Sequence, residues 1–209
     1  MCNLYRMTKG TDEVAKLFDA IPDSGANFGE EVYPGYPGLV IAQGKAQAMT
    51  WGFPLVLRGK QGQMLKPRPV NNAREDKLMS AFWKDSFAQR RCLIPVSAWA
   101  EAQGPKGSKT RTWYALPDGE PFAVAGVWRP THEWGNAYAM VMVDSCAQIA
   151  DDHSRMPLIV QREYWQEWTS GEPEAARNLC RPWGRELTVD RTSQAWVRDR
   201  AKPKQVKLL

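Results

Sequence analysis

Apolar residues return along this chain in two rhythms, and the change from one to the other predicts where helices give way to strands. In TDEVAKLFDAI (11–21), Val14, Leu17, Phe18 and Ile21 recur every three or four positions and share one side of a helix. Thr11 offers that helix a cap, and Asp12 and Glu13 suit its positive end. Residues 76–88 read the same way through Leu78, Met79, Phe82, Trp83 and Phe87, as do 161–170 and 172–180. From 91 to 144 the rhythm shortens. RCLIPV, SAWAEA, RTWYAL, PFAVAGVW and YAMVMVD are brief apolar runs separated by turn residues, each too short for an ordinary helix, which predicts a β meander or barrel. Shorter strands are expected at 39–42 and 47–53. Prolines and glycines break 22–38 into loop, and 58–69 is a glycine- and lysine-rich loop.

With no internal repeat and no compositional break, these elements predict one α+β domain with an antiparallel, barrel-like β core and peripheral helices. The domain is expected to span 1–197. Residues 198–209, with Arg198, Arg200, Lys202, Lys204 and Lys207, read as a solvated basic tail.

Composition narrows the function classes. Hydrophobic residues make up 43% and charged residues 24% of the 209, which are ordinary globular proportions. No apolar run approaches a membrane span, and MCNLYRMTKG lacks the hydrophobic stretch of a signal peptide, so a cytoplasmic protein without membrane attachment is expected. Lys and Arg exceed Asp and Glu by 28 to 23, and ten tryptophans accompany this excess. Cations that track phosphates and rings that stack on unpaired bases would suit single-stranded nucleic acid, although tryptophan fills ordinary cores as well. Cys2, Cys92, Cys146 and Cys180 lie far apart without a CxxC pair, and His132 and His153 are the only histidines, which disfavours a zinc site and a disulfide framework. Neither a dinucleotide fingerprint nor a P-loop occurs. No metal or cofactor is expected.

Several positions carry candidate chemistry. If Met1 is removed, Cys2 becomes a terminal residue bearing both an α-amine and a thiol. An internal cysteine has only a delocalised amide nitrogen. The free amine has a pKa of about 7.7–8.0 and the thiol about 8.5, so both can act as nucleophiles near neutral pH. Such a pair condenses with an aldehyde to an imine and closes to a five-membered thiazolidine. If SAWAEA is a strand, Ser97, Trp99 and Glu101 share a face, and an apolar neighbour would raise the Glu101 carboxyl toward general-acid use. His153 in DDHSRMP has a side chain that titrates near neutrality, and Arg155 beside it can face an anion. In PVNNAR, Asn71 and Asn72 can hold a carbonyl or hydroxyl, and Arg74 can grip a phosphate. Each of these has a bland reading as a core, turn or solvated residue.

Taken together and in order, MCNLY (1–5), TWGFP (50–54), NNAR (71–74), RRCLIPVSAWAEA (90–102), AGVW (125–128) and HSRMP (153–157) resemble the SRAP family, the SOS-response-associated peptidase domain, whose members include abasic-site crosslinking proteins. The resemblance implies that Cys2 forms a thiazolidine with the ring-opened aldehyde of an abasic site in single-stranded DNA. It implies that Asn72 orients the amine and the sugar, that Glu101 is the acid/base for ring opening, and that His153 assists the later proton transfers. Arg74 and Arg155 would contact phosphate, and Trp51 would line the DNA path. It further implies a monomer that gathers on the nucleoid after DNA damage. Two departures stand out. Ala102 occupies a position where members commonly carry an aromatic, which either removes a stacking platform or passes it to Trp99. Met142 or Val143 stands where a threonine hydroxyl is often found. A noncatalytic single-stranded DNA-binding module and an N-terminal-cysteine thiol peptidase are the alternative readings.

Overall fold

The computed structural model describes residues 2–196, so Met1 and the basic tail from 198 lie outside the described residues. Five strands close into a barrel in the order Gly135–Asp144, Phe122–Thr131, Arg91–Val96, Pro37–Ala42 and Lys45–Trp51. Parallel pairing of Thr50 and Trp51 with Ala137 and Tyr138 completes the ring. Closure leaves these strands no free edge at the seam. The unbroken apolar runs in the sequence follow from this arrangement, because a strand packed on both faces has no solvent side to make polar. Arg91–Val96 is buried along its whole length, as is Ala137–Val143.

The chain leaves the barrel at Val96 and, one residue later, enters a second sheet. Its antiparallel order is Thr188–Ala195, Thr110–Ala115, Ala98–Gln103, Tyr5–Arg6 and Glu31–Val32. Three short segments then add to the barrel, two along Gly135–Asp144 and one along Phe122–Thr131. Asn72–Arg74 runs parallel to Gly135–Asp144, Met140 opposite Asn72 and Met142 opposite Arg74. Arg155–Pro157 pairs antiparallel with its far end, and Ile159–Val160 pairs with Phe122–Thr131. Leu158 bridges the two, its amide donating to the Val141 carbonyl and its carbonyl accepting from the Ala125 amide.

Helices Thr11–Leu17, Lys84–Gln89, Trp165–Ser170 and Pro173–Asn178 lie outside the strands. Two of them are fastened by one cation. Arg91 is 6% exposed, and its guanidinium donates to the carbonyls of Phe87, Trp168 and Gly171, at or just beyond the ends of two helices. Those carbonyls have no partner within their helices and carry the negative end of the dipole, so they satisfy a charge that burial would otherwise penalise.

Several expectations need correction. The first helix ends at Leu17, and its cap position is Gly10 without a side-chain bond, so Thr11 is already inside it. Asp19 turns the chain at a φ of 51°, and Ile21 is 67% exposed in a short strand. Residues 76–88 contain only a 3-10 turn, Glu75–Lys77, and the helix Lys84–Gln89, with Met79 on the surface. Thr188–Ala195 gave no strand signal, because its mostly exposed residues show no apolar alternation.

The core has no room for a side chain at Gly38. The Tyr5 and Tyr138 hydroxyls hydrogen-bond each other beside Gly38, where an added Cβ would collide with both oxygens.

Candidate active site

Sheet pairing delivers the start of the chain to Glu101. Tyr5 stands opposite Trp99, and the Ala100 amide donates to the Leu4 carbonyl at 2.9 Å, so the preceding residues run alongside the Glu101 end of Ala98–Gln103. Cys2 is fully buried there, with its thiol 3.5 Å from the Leu4 carbonyl.

Two amides grip the Cys2 carbonyl. Asn72 Nδ2 donates to it at 2.7 Å and Asn71 Nδ2 at 2.9 Å. Asn71 also donates to Asn3 Oδ1 at 3.2 Å. The Asn71 backbone carbonyl is itself held by the Trp51 indole N–H at 3.0 Å and the Met140 amide at 2.9 Å. Asn72 is 8% exposed, and its Oδ1 accepts no hydrogen bond among the described residues, which leaves a buried acceptor beside the terminus. Asn71, one of the two amides expected to hold a carbonyl, is a second clamp that the expected catalytic set of Cys2, Asn72, Glu101 and His153 leaves out. Its amide was visible, but the partner lies 69 residues away.

Glu101 shares a face with Ser97 and Trp99 as alternation requires, while Ala98 and Ala100 pack on the other side with Leu4 and Trp113. It is 3% exposed, and burial pushes its carboxyl up to about 7. His153 Nε2 stands 3.8 Å from Glu101 Oε2. On the far side of the ring, Nδ1 lies 2.8 Å from the Arg155 carbonyl oxygen and 3.1 Å from the Arg155 amide nitrogen. With Nδ1 protonated the carbonyl accepts, and the Nε2 lone pair turns toward Glu101. With Nδ1 bare the amide donates, and Nε2–H points there instead. The backbone supports both tautomers, which suits a group that passes protons. Burial lowers the His153 pKa, so the neutral ring prevails at neutral pH.

The loop carrying His153 is anchored from behind. Tyr114 donates to Asp152 Oδ2 at 2.8 Å, Arg191 reaches the same oxygen at 3.1 Å, and the His153 amide donates to the Ile149 carbonyl. Tyr114 in turn stacks on Trp99 with centroids 5.3 Å apart. The Cys2 thiol is shifted well above its ordinary value, first by burial and then by the nearby Glu101 carboxylate. It is therefore a thiol, not a thiolate, at rest.

The two arginines flank one end of the strand Gly135–Asp144, Arg74 opposite Met142 and Arg155 opposite Asp144. Arg74 makes a two-pronged contact with Asp76 at 2.9 and 2.7 Å. Arg155 lies 3.4 Å from Asp144 and 3.7 Å from Glu75. Met142 and Val143 are buried strand residues.

The tryptophans do not stand where DNA contact was expected. Trp51 is fully buried against Tyr5 and Tyr138, and Trp99 is fully buried between Tyr114 and Phe122. Neither offers a ring face to a base. Trp51 holds the Asn71 carbonyl, and Trp99 backs Glu101; Trp99 does not replace the platform absent at Ala102.

Comparison with known proteins fits this geometry. The sequence pattern that defines the SOS response associated peptidase family, SRAP, matches residues 1–197. A crystal structure of a protein from Bordetella bronchiseptica superposes with a TM-score of 0.77 at 21% identity, covering 91% of this chain and 99% of that one. One from Bacteroides thetaiotaomicron gives 0.76 at 18% identity, covering 91% of each chain. A phage-related protein from Bordetella bronchiseptica gives 0.63 at 16%, covering 92% of this chain and 95% of that one. At these identities the likeness establishes the shared fold. No curated protein matches the chain.

Proposed function

The chain belongs to the SRAP family, and from that premise we propose that it captures abasic sites in single-stranded DNA by forming a thiazolidine through Cys2 once Met1 has been removed. The observation that carries this reading is the clamp of Asn71 and Asn72 on the Cys2 carbonyl, beside the Glu101–His153 pair. A residue held at its carbonyl keeps its α-nitrogen in one place, which is the positioning a terminal nucleophile needs.

An abasic sugar is mostly a closed hemiacetal. Glu101, raised to about 7, holds a proton to give to the ring oxygen as the C–O bond breaks, while His153 accepts the proton of the anomeric hydroxyl. The aldehyde so released is attacked by the unprotonated α-amine of Cys2. Loss of one water gives an imine. The thiol then adds to the imine carbon as His153 or ionised Glu101 takes the thiol proton, and the imine nitrogen gains a proton. The balance is aldehyde plus aminothiol to thiazolidine and water. Asn72 Oδ1 is an acceptor for the amine N–H or for a sugar hydroxyl. Arg74 and Arg155 would meet the flanking phosphates by sharing or releasing their carboxylate partners.

A thiol peptidase reading fits less well, because its nucleophile needs a depressed thiol pKa and burial moves Cys2 the opposite way. Mixing the purified protein with single-stranded DNA bearing one abasic site tests the proposal. A protein–DNA species that withstands denaturing gel electrophoresis is expected. Its absence, with intact mass showing Cys2 at the terminus, refutes capture.

A further inference from the structure

Charge is not spread evenly along this chain. Residues 32–74 contain no aspartate or glutamate and six cations, Lys45, Arg58, Lys60, Lys66, Arg68 and Arg74, so this stretch accounts for the whole formal excess of +5. Four of the six lie on a single arm. Strands Phe53–Leu55 and Arg68–Val70 pair antiparallel, and the hairpin continues outward through the Arg58–Met64 bridge to a turn in which the Gly59 amide donates to the Gln63 carbonyl. Arg58, Lys60, Lys66 and Arg68 are all exposed. None of them enters an ion pair among the described residues.

The arm also carries apolar surface. Leu57 is 44% exposed, Met64 62% and Leu65 39%, so no element among the described residues covers them. Four cations without counterions beside three bare apolar side chains form a surface suited to a polyanion that has apolar faces of its own. Unpaired nucleic acid has both features, phosphates and open bases.

The root of the arm fixes where such a strand would come from. Val70 is followed directly by Asn71 and Asn72, the two amides that hold Cys2. On the other side Gly52, at a φ of 120°, lets Pro69 pack so closely that an added Cβ would sit 2.5 Å from the proline Cβ, and its amide donates to the Tyr138 carbonyl. The arm is thus seated on the barrel wall and projects from the site itself.

We infer that the hairpin between Phe53 and Val70 is a strand-binding arm. Arg58, Lys60, Lys66 and Arg68 grip phosphates of the single strand leading away from the captured sugar, and Leu57, Met64 and Leu65 lie against its bases. The identity of this ligand rests on the capture reading above.

Noncovalent binding separates the two. An oligonucleotide carrying a tetrahydrofuran in place of the abasic sugar has no aldehyde and reports affinity alone. Each phosphate contact on a single strand contributes about 0.7 to the slope of log affinity against log salt. Replacing Arg58, Lys60, Lys66 and Arg68 together by glutamine should therefore flatten the slope by about 3, so that over a fourfold rise in salt the parent loses about 50-fold more affinity than the variant. Exchanging the same lysines for arginines and arginines for lysines should preserve the slope. A slope equal to the parent's in the glutamine variant overturns the arm. If no covalent product forms with the parent protein, the capture reading fails while the slope still decides the arm.

Discussion

Glu101→Gln separates what a buried carboxyl costs the fold from what it does for the chemistry. Glu101 is 3% exposed, and burial pushes its carboxyl from 4.5 up to about 7. A rise of that size corresponds to about 3 kcal/mol of preference for the protonated form. The unfolded chain releases this proton near the ordinary glutamate value. Between about pH 4.5 and 7, therefore, the native state binds a proton that the unfolded state has lost, and stability falls as pH rises through that window. Glutamine has no charge to bury. The variant should match the parent near pH 4.5 and exceed it by up to about 3 kcal/mol at about pH 8, minus whatever the amide loses in hydrogen bonding. Urea midpoints across this range measure the difference directly, provided the m values agree. Covalent capture should slow by about 10²-fold or more in the same variant, because the amide has no proton to give the sugar ring oxygen. A stability difference that stays flat with pH, or a parent more stable than the variant at about pH 8, would refute the assignment of Glu101 as a carboxyl kept protonated by burial.

Two further substitutions probe the clamp and the core. Asn72→Asp keeps the shape of the side chain but removes the donor to the Cys2 carbonyl, so capture should slow about 10- to 100-fold, in line with a lost buried hydrogen bond of about 1–3 kcal/mol; a gel time course within twofold of the parent would show that the clamp is not needed. Gly38→Ala drives a methyl group into the Tyr5 and Tyr138 hydroxyls and should destabilise the fold by about 3 kcal/mol through overpacking and loss of their bond. A urea midpoint unchanged in that variant would contradict the packing described.

Where local pattern and burial agree, the sequence is readable. SAWAEA alternates and its strand sits between neighbours on both edges, so the face shared by Trp99 and Glu101 was visible beforehand. The apolar runs of 91–144 likewise announce strands covered on both sides. The tryptophans were misplaced because indole has two uses in a basic protein, and composition does not say which. Closure of the barrel turns Trp51 inward, and the stack on Tyr114 does the same for Trp99. Long-range satisfaction of polar groups is hidden for another reason. That Asn71 meets Cys2, or that Arg91 meets the carbonyls of Trp168 and Gly171, depends on contacts about 70 to 80 residues apart, which no window of the sequence contains. Thr188–Ala195 is held by its pairing with Thr110–Ala115 and not by a buried face, so it left no periodic trace.

The central claim is that the amine and thiol of one terminal residue trap the sugar together. Its most direct measurement is mass spectrometry of the peptide linked to abasic single-stranded DNA after proteolysis of the crosslinked species. The account predicts a linkage on Cys2, with Met1 absent and a mass equal to peptide plus DNA less one water, and it predicts no such product from Cys2→Ala. A linkage mapped to a lysine, or an equal yield of adduct from Cys2→Ala, would contradict it.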